Sequence, residues 1–196
     1  MMLPFYDVSR IAVPPSFEKA VADNWMTTYE RAVVVTLLRQ VNARVVIEIG
    51  VQEGHLACEI LRRMTGVKRY IGIDLKPGSQ YVCAIASQQR ERPGDRVGCA
   101  AKSSDVFQLM LRERGSQDIR VGGLPPCDAC IIDGDHSLPA VRHDTALATA
   151  AVRKGGVIIW HDYGFWSGCG VPDALHELEG RALGRIEHTA LAVEFR

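Results

Sequence analysis

The stretch Val45–Ala57, V-V-I-E-I-G-V-Q-E-G-H-L-A, leaves few folds open. Its β-branched run (Val45, Val46, Ile47, Ile49) has one acid inside it, Glu48, and ends in a turn carrying Gly50 and Gly54. Leu56, Ile60 and Leu61 follow at helical spacing. A buried parallel strand that turns sharply into a helix reads this way. Glycines let such a turn tighten and let a ligand approach its backbone. The helix after it directs unpaired N–H groups at whatever sits there. A second strand, Tyr70–Asp74, ends in an acid about twenty positions beyond the turn, where Rossmann-like sheets hold ribose hydroxyls. The residues therefore point to a nucleoside-containing cofactor at the tip of the first strand.

The rest of the chain repeats the alternation. A helix is predicted over Trp25–Val41, buried along Tyr29, Val33, Leu37 and Leu38. The first strand, Val45–Ile49, is followed by a helix from about Gly54 to Met64, and the second strand by a helix near Tyr81–Gln89. Strand three is expected at Val97–Ala101, with a helix from Asp105 to about Arg114 capped by Ser103 or Ser104. Strand four is Ala129–Asp133, followed by a helix over about Pro139–Val152, and strand five is Gly156–Trp160. A last helix, about Pro172–Glu179, precedes two strand-like pieces, Arg185–His188 and Leu191–Phe195, whose short link suits an antiparallel pair. The expected fold is α/β: a Rossmann-like, doubly wound, mostly parallel sheet with an antiparallel C-terminal strand pair. Residues 1–24, with Pro4, Pro14 and Pro15, read as an irregular lead-in, and residues 25–196 as a single domain.

Composition narrows the partners. Lys+Arg and Asp+Glu are both 23, so net charge is zero and no basic run offers itself to a nucleic-acid backbone. No apolar stretch reaches the roughly 20 residues of a membrane span, and the N-terminus has no signal-peptide pattern. A cytoplasmic protein acting on a small molecule is the expectation. Cys127 and Cys130 form a C-x-x-C, but it runs into strand four without a second pair to complete four zinc ligands, so reduced core thiols are expected.

Polar residues gather at the strand ends, where open α/β sheets bind ligands. Strand four ends in I-I-D-G-D-H (Asp133, Asp135, His136), and strand five in I-I-W-H-D-Y (His161, Asp162, Tyr163). Adjacent parallel strands would bring both tips together beside the cofactor pocket. Carboxylates and imidazoles converging there suggest a divalent-cation site, with oxygen ligands suiting Mg²⁺ and imidazole shifting the preference toward Mn²⁺, Fe²⁺ or Zn²⁺.

The E-x-G-x-x-x-G turn with its following Asp resembles motif I of class I S-adenosylmethionine-dependent methyltransferases, with Gln52 where the usual motif has its second glycine. D-A-C-I-I-D-G-D-H-S and R-K-G-G-V-I-I-W-H-D-Y, together with N-W-M-T-T-Y-E-R-A upstream, resemble the small cation-dependent O-methyltransferases of the catechol and caffeoyl-CoA types and their sugar-modifying relatives. The resemblance spans about Trp25 to Gly168. It implies metal ligands at Asp133, His161 and Asp162, although the plant-type enzymes carry Asp-Asn at the last pair, which leaves the metal and its requirement open. It implies a catalytic role for Asp133, and for His136 or His161 as proton acceptor. The cofactor, S-adenosylmethionine, would be held by Glu48, Gly50, Gly54, Asp74 and Asp133, with Met26 and Thr27 at its methionine end and Ser103 and Ser104 at adenine. The residues alone also admit a nicotinamide oxidoreductase, though without its strict glycine fingerprint, and a binding module without chemistry. A partner subunit closing the pocket is compatible with so short a chain.

Overall fold

The computed structural model describes residues 5–6, 26–79, 96–164, 168–178 and 180–196. Eight strands form one sheet. In chain order the elements are β1 (Phe5–Tyr6), α1 (Thr28–Gln40), β2 (Val45–Ile49), α2 (His55–Arg63), β3 (Arg69–Leu75), β4 (Phe107–Arg112), β5 (Cys127–Ile132), α3 (Leu138–Ala151), β6 (Val152–Trp160), α4 (Gly170–His176), β7 (Leu183–Ile186) and β8 (Ala192–Phe195). The strands lie in the order β1-β7-β8-β6-β5-β2-β3-β4. Only β8 runs antiparallel to its neighbours, β6 and β7, which gives the expected C-terminal pair. The order reverses between β2 and β5, which pair directly, and that switch point is where ligands bind in such sheets.

Alternation of side chains along each strand divides the core in two. Val46, Tyr70, Ile131, Val157 and Ile159 pack against α1 and α2 on one face. Ile47, Ile49, Ile71, Ile132, Ile158 and Trp160 pack against α3 and α4 on the other. Both faces are covered, which explains why the central strands read as continuous apolar runs. Each fully buried side chain of this size contributes about 1.5–3 kcal/mol. Cys127 and Cys130 lie inside β5 in this core, and burial pushes the Cys127 thiol up to about 12. At the far end of the sheet from the strand tips, the Asp128 carboxylate accepts the N–H groups of Arg44 (2.6 Å) and Val45 (2.8 Å) and pairs with Arg153. It joins β5 to the start of β2 and to β6.

Three expectations need correction. Val97–Ala101 is a turn, not a strand: Gly98 N–H donates to Gln52 O (2.7 Å) and Ala100 N–H to Glu53 O (2.9 Å), so the segment docks on the glycine turn. The segment expected as a helix from Asp105 is β4, in parallel register with β3 from Tyr70↔Phe107 to Leu75↔Arg112. Phe107 lies against Tyr70, ring centroids 5.8 Å apart, and over Gly72, which has no side chain to block it. In so short an apolar run, spacing alone does not separate strand from helix. The lead-in also supplies β1, which pairs with β7. The helix expected near Tyr81–Gln89 lies outside the described residues.

Candidate active site

The glycine turn is built for contact between chain segments. Gly50 has φ +85°, and a Cβ there would sit 2.0 Å from the carbonyl oxygen of Asp133. Glycine therefore lets the tips of β2 and β5 touch, and Asp133 N–H completes the join by donating to Ile49 O (2.8 Å). Gly54, also left-handed, is the N-cap of α2 and faces Gly98 across the turn. Asp74, at the end of β3, holds the turn from below. Its Oδ2 accepts the N–H groups of Val51 and Gln52, both at 2.8 Å, and its Oδ1 accepts that of Leu75 at 2.6 Å. Burial raises its pKa despite these three bonds.

A pocket opens between this turn and α1. Met26, Glu48, Gly50 and Asp133 line it, and Arg31, Gln52 and His55 join them. Glu48 is buried, its Oε2 accepts the Tyr70 hydroxyl (2.8 Å), and burial holds its carboxyl well above the usual range. Thr27 follows Met26 and caps α1: its hydroxyl accepts Glu30 N–H (3.2 Å), while its own N–H donates to Glu30 Oε2 (2.8 Å). This reciprocal capping box fixes the start of the helix beside the pocket. Ser103 and Ser104 lie in the turn before β4, outside the residues that line the pocket.

The strand tips do converge. Asp133, His136 and Asp162 offer ligand atoms that all lie within 4.8 Å of one another. His136 Nε2 is 2.6 Å from Asp162 Oδ2 and 3.6 Å from Asp133 Oδ1. His161, 2% exposed, sits behind them, with Nδ1 3.1 Å from Asp133 Oδ1 and 3.2 Å from Asp162 Oδ2. Its Nε2 faces Glu30 Oε2 at 3.7 Å. Asp162 has φ +63°, a left-handed conformation uncommon outside glycine, and such backbone clusters at functional sites.

The charges explain the packing. Burial would raise the Asp133 pKa, but the two imidazoles overcome it and hold the carboxyl at about 2. Asp162 is likewise lowered: His136 and His161 outweigh its burial. Burial works against charging His136, yet Asp133 and Asp162 push it up to about 9. The same two acids, with Glu30, raise His161 much further. Glu30 is buried too, and bonds from His161, Ala190 N–H and Thr27 N–H bring it down to about 2. Two carboxylates thus face two imidazolium rings, with a third carboxylate closing the far side of His161.

Two carboxylates and an imidazole within reach of one point are a donor set that suits a divalent transition ion. The grouping differs in one member from the expected one: His136 joins Asp133 and Asp162, while His161 lies deeper between them and Glu30. Sequence reasoning missed Glu30 and Arg31. The T-x-x-E spacing of Thr27 and Glu30 signals a helix cap, but nothing local tells that the same carboxylate reaches His161.

A β4-β3-β2-β5-β6 parallel core ending in an antiparallel β8, with a polar pocket at the β2–β5 switch point, defines a class I methyltransferase fold. The family described as "Methyltransferase domain" matches residues 47–163, more than half of the chain, and the chain belongs to that family. No curated protein matches the sequence. Among solved structures, the SAH-bound methyltransferase PaMTH1 of Podospora anserina is similar, with TM-score 0.64 at 12% identity over 100% of this chain and 98% of that one. The O-methyltransferase NovP gives TM-score 0.63 at 14% identity, over 99% and 91% of the two chains. TomG of Streptomyces achromogenes, an O-methyltransferase solved with SAM, gives 0.58 at 15% identity, over 100% and 93%. At these identities the likeness is one of fold. Family membership favours methyl transfer over nicotinamide chemistry. No helix among the described residues is long and apolar enough to cross a membrane.

Proposed function

We propose that this protein is an S-adenosylmethionine-dependent O-methyltransferase that methylates a hydroxyl of a small molecule, assisted by a divalent cation. The observation that carries the reading is the double position of Asp133. It lines the pocket at the β2 tip and also holds the two histidines of the strand-end cluster. A cofactor in that pocket therefore lies next to the groups that would handle the acceptor.

The reaction moves a methyl group from the sulfonium to an acceptor oxygen. The O–CH₃ bond forms as the S–CH₃ bond breaks, the bonding pair returns to sulfur, and the hydroxyl proton leaves to a base. Alignment is the enzyme's main contribution, worth roughly 7–11 kcal/mol in favourable cases. Asp74 keeps acceptor capacity on Oδ1 for a ribose hydroxyl, because three backbone N–H groups occupy three of its roughly four lone-pair sites. Met26 and Thr27 stand at the methionine end, and Ser103 and Ser104 are assigned to adenine. Asp133 and Asp162 would hold the cation beside His136, with His161 behind them, and a bound cation lowers the pKa of a hydroxyl and fixes its orientation. His136, at the outer edge of the cluster, is placed to take the acceptor's proton once Asp133 and Asp162 are balanced by a charge other than imidazolium.

Calorimetric titration with S-adenosylhomocysteine, NAD and Mn²⁺ tests this. Binding of S-adenosylhomocysteine but not NAD, and of Mn²⁺ to wild type at least about tenfold more tightly than to Asp162→Asn, is expected. Absence of S-adenosylhomocysteine binding removes the cofactor assignment, and equal Mn²⁺ binding by both proteins removes the cation from this cluster.

A further inference from the structure

Glu30 does more than a helix cap requires. The capping box uses one of its oxygens: Oε2 accepts the N–H and the hydroxyl of Thr27, both at 2.8 Å. The other, Oε1, leaves the cap and accepts Ala190 N–H, from the turn before β8, at 2.8 Å. Three donors thereby pin a buried carboxylate. A carboxylate has about four acceptor sites, which leaves one for His161, whose Nε2 lies 3.7 Å from Oε2. That nitrogen is buried and has no hydrogen-bond partner among the described residues, so Glu30 is the one acid it faces there. The opposite nitrogen, Nδ1, lies between Asp133 Oδ1 (3.1 Å) and Asp162 Oδ2 (3.2 Å). A ring turned over about its Cβ–Cγ bond would present carbon to both acids, so what holds Nε2 decides where Nδ1 points.

On the reading that a divalent cation binds at Asp133 and Asp162, we propose that Glu30 is a positioning residue for that site. It fixes the His161 ring so that Nδ1 bridges the two carboxylates and keeps them turned toward one point. Two carboxylates this close repel one another, and a nitrogen shared between them holds them together before a cation arrives. The tips of β5 and β6 supply the ligands, while α1, through Glu30, sets the spacing between them.

The test is Mn²⁺ affinity of the full chain, followed by electron paramagnetic resonance, in a cycle of Glu30→Gln and His161→Asn. Glu30→Gln keeps the length of the side chain and an oxygen for Ala190 N–H; it should weaken Mn²⁺ by about tenfold, as loss of an outer partner of a metal ligand commonly does. His161→Asn leaves an amide donor beside Asp133 and Asp162 but nothing that reaches Glu30. Adding Glu30→Gln to it should therefore change Mn²⁺ affinity by under about twofold, whereas a charge acting through space would give the same fall in both backgrounds. Unchanged affinity in Glu30→Gln, or an equal fall in both backgrounds, overturns the role of Glu30. Heteronuclear NMR of the metal-free protein reads the ring without the double variant: the Nδ1 signal of His161, on the side away from Glu30, should move in Glu30→Gln, and an unmoved signal overturns the role as well. A wild-type protein that binds no Mn²⁺ overturns the cation reading itself, and the ring signal then decides whether Glu30 positions His161.

Discussion

Replacing Asp144 with asparagine should stabilise the protein above neutral pH and weaken it slightly in mild acid. Asp144 lies in α3, fully buried, close behind Gly134 in the segment that carries Asp133 and His136. Its Oδ2 has no hydrogen-bond partner among the described residues, and its Oδ1 receives a long bond from Gln117 Nε2 (3.5 Å). Burial pushes the carboxyl up from 3.8 to about 7; Asp135 adds to the shift, while Ser116 and His136 oppose it. The folded-state pKa is the higher one, so the folded chain keeps a proton that the unfolded chain has released. Stability from this group is therefore lost as pH rises from about 3.8 to about 7, and is constant above that. A gap of about three pH units at about 1.4 kcal/mol each makes about 4 kcal/mol. Asparagine keeps the shape and loses the charge, but leaves a buried amide without a partner at about 1–2 kcal/mol, independent of pH. The variant should then gain about 2–3 kcal/mol over wild type at pH 8, with the two stability curves crossing near about pH 5. Urea unfolding of both proteins from pH 4 to pH 8 measures the difference, in which every other titrating group cancels. A difference that stays flat across this range, or that grows in favour of wild type as pH rises, would refute the reasoning.

Other perturbations read different parts of the molecule. Gly50→Ala forces a left-handed alanine and a Cβ into the Asp133 carbonyl, so stability should fall by at least about 2 kcal/mol and S-adenosylhomocysteine binding should be lost; stability within experimental error of wild type would contradict the contact. Asp128→Ala removes the acceptor of two backbone N–H groups and the partner of Arg153, at about 2–3 kcal/mol in chemical denaturation. Because Asp128 lies at the opposite end of the strands from the pocket, cofactor affinity should not change, and a parallel loss would show that the two ends are coupled. Asp162→Asn should weaken Mn²⁺, followed by electron paramagnetic resonance, by roughly tenfold or more, since altering even an outer partner of a metal ligand commonly has that effect. Undiminished Mn²⁺ affinity would place the ion elsewhere.

The central strands β2, β3, β5 and β6 were legible because both of their faces are buried, which writes an uninterrupted apolar run into the chain. Their tips were legible for the opposite reason: polar residues directly after such runs have few places to be. The edge was harder. Phe107, Leu109 and Leu111 alternate as a strand requires, yet Phe107, Met110 and Leu111 also fall at helical spacing, and only pairing with β3 decides. Val97–Ala101 has strand-like residues but is recruited by the carbonyls of Gln52 and Glu53, partners no local pattern reveals. In the site, Asp133, His136, His161 and Asp162 could be named in advance from their place after strands. Glu30 could not, because its bonds to Ala190 N–H and its approach to His161 depend on how α1 lies over the sheet.

The left-handed backbone at Asp162 bears on how that position can be interrogated. Alanine there would twist the chain path as well as delete the carboxylate, mixing two injuries in one measurement. Asparagine tolerates that twist and resembles aspartate in outline, and glycine tolerates it with no side chain at all. A pair of variants, one with an uncharged look-alike and one bare, can thus separate what the negative charge does from what mere bulk does. Few acidic residues permit so clean a dissection.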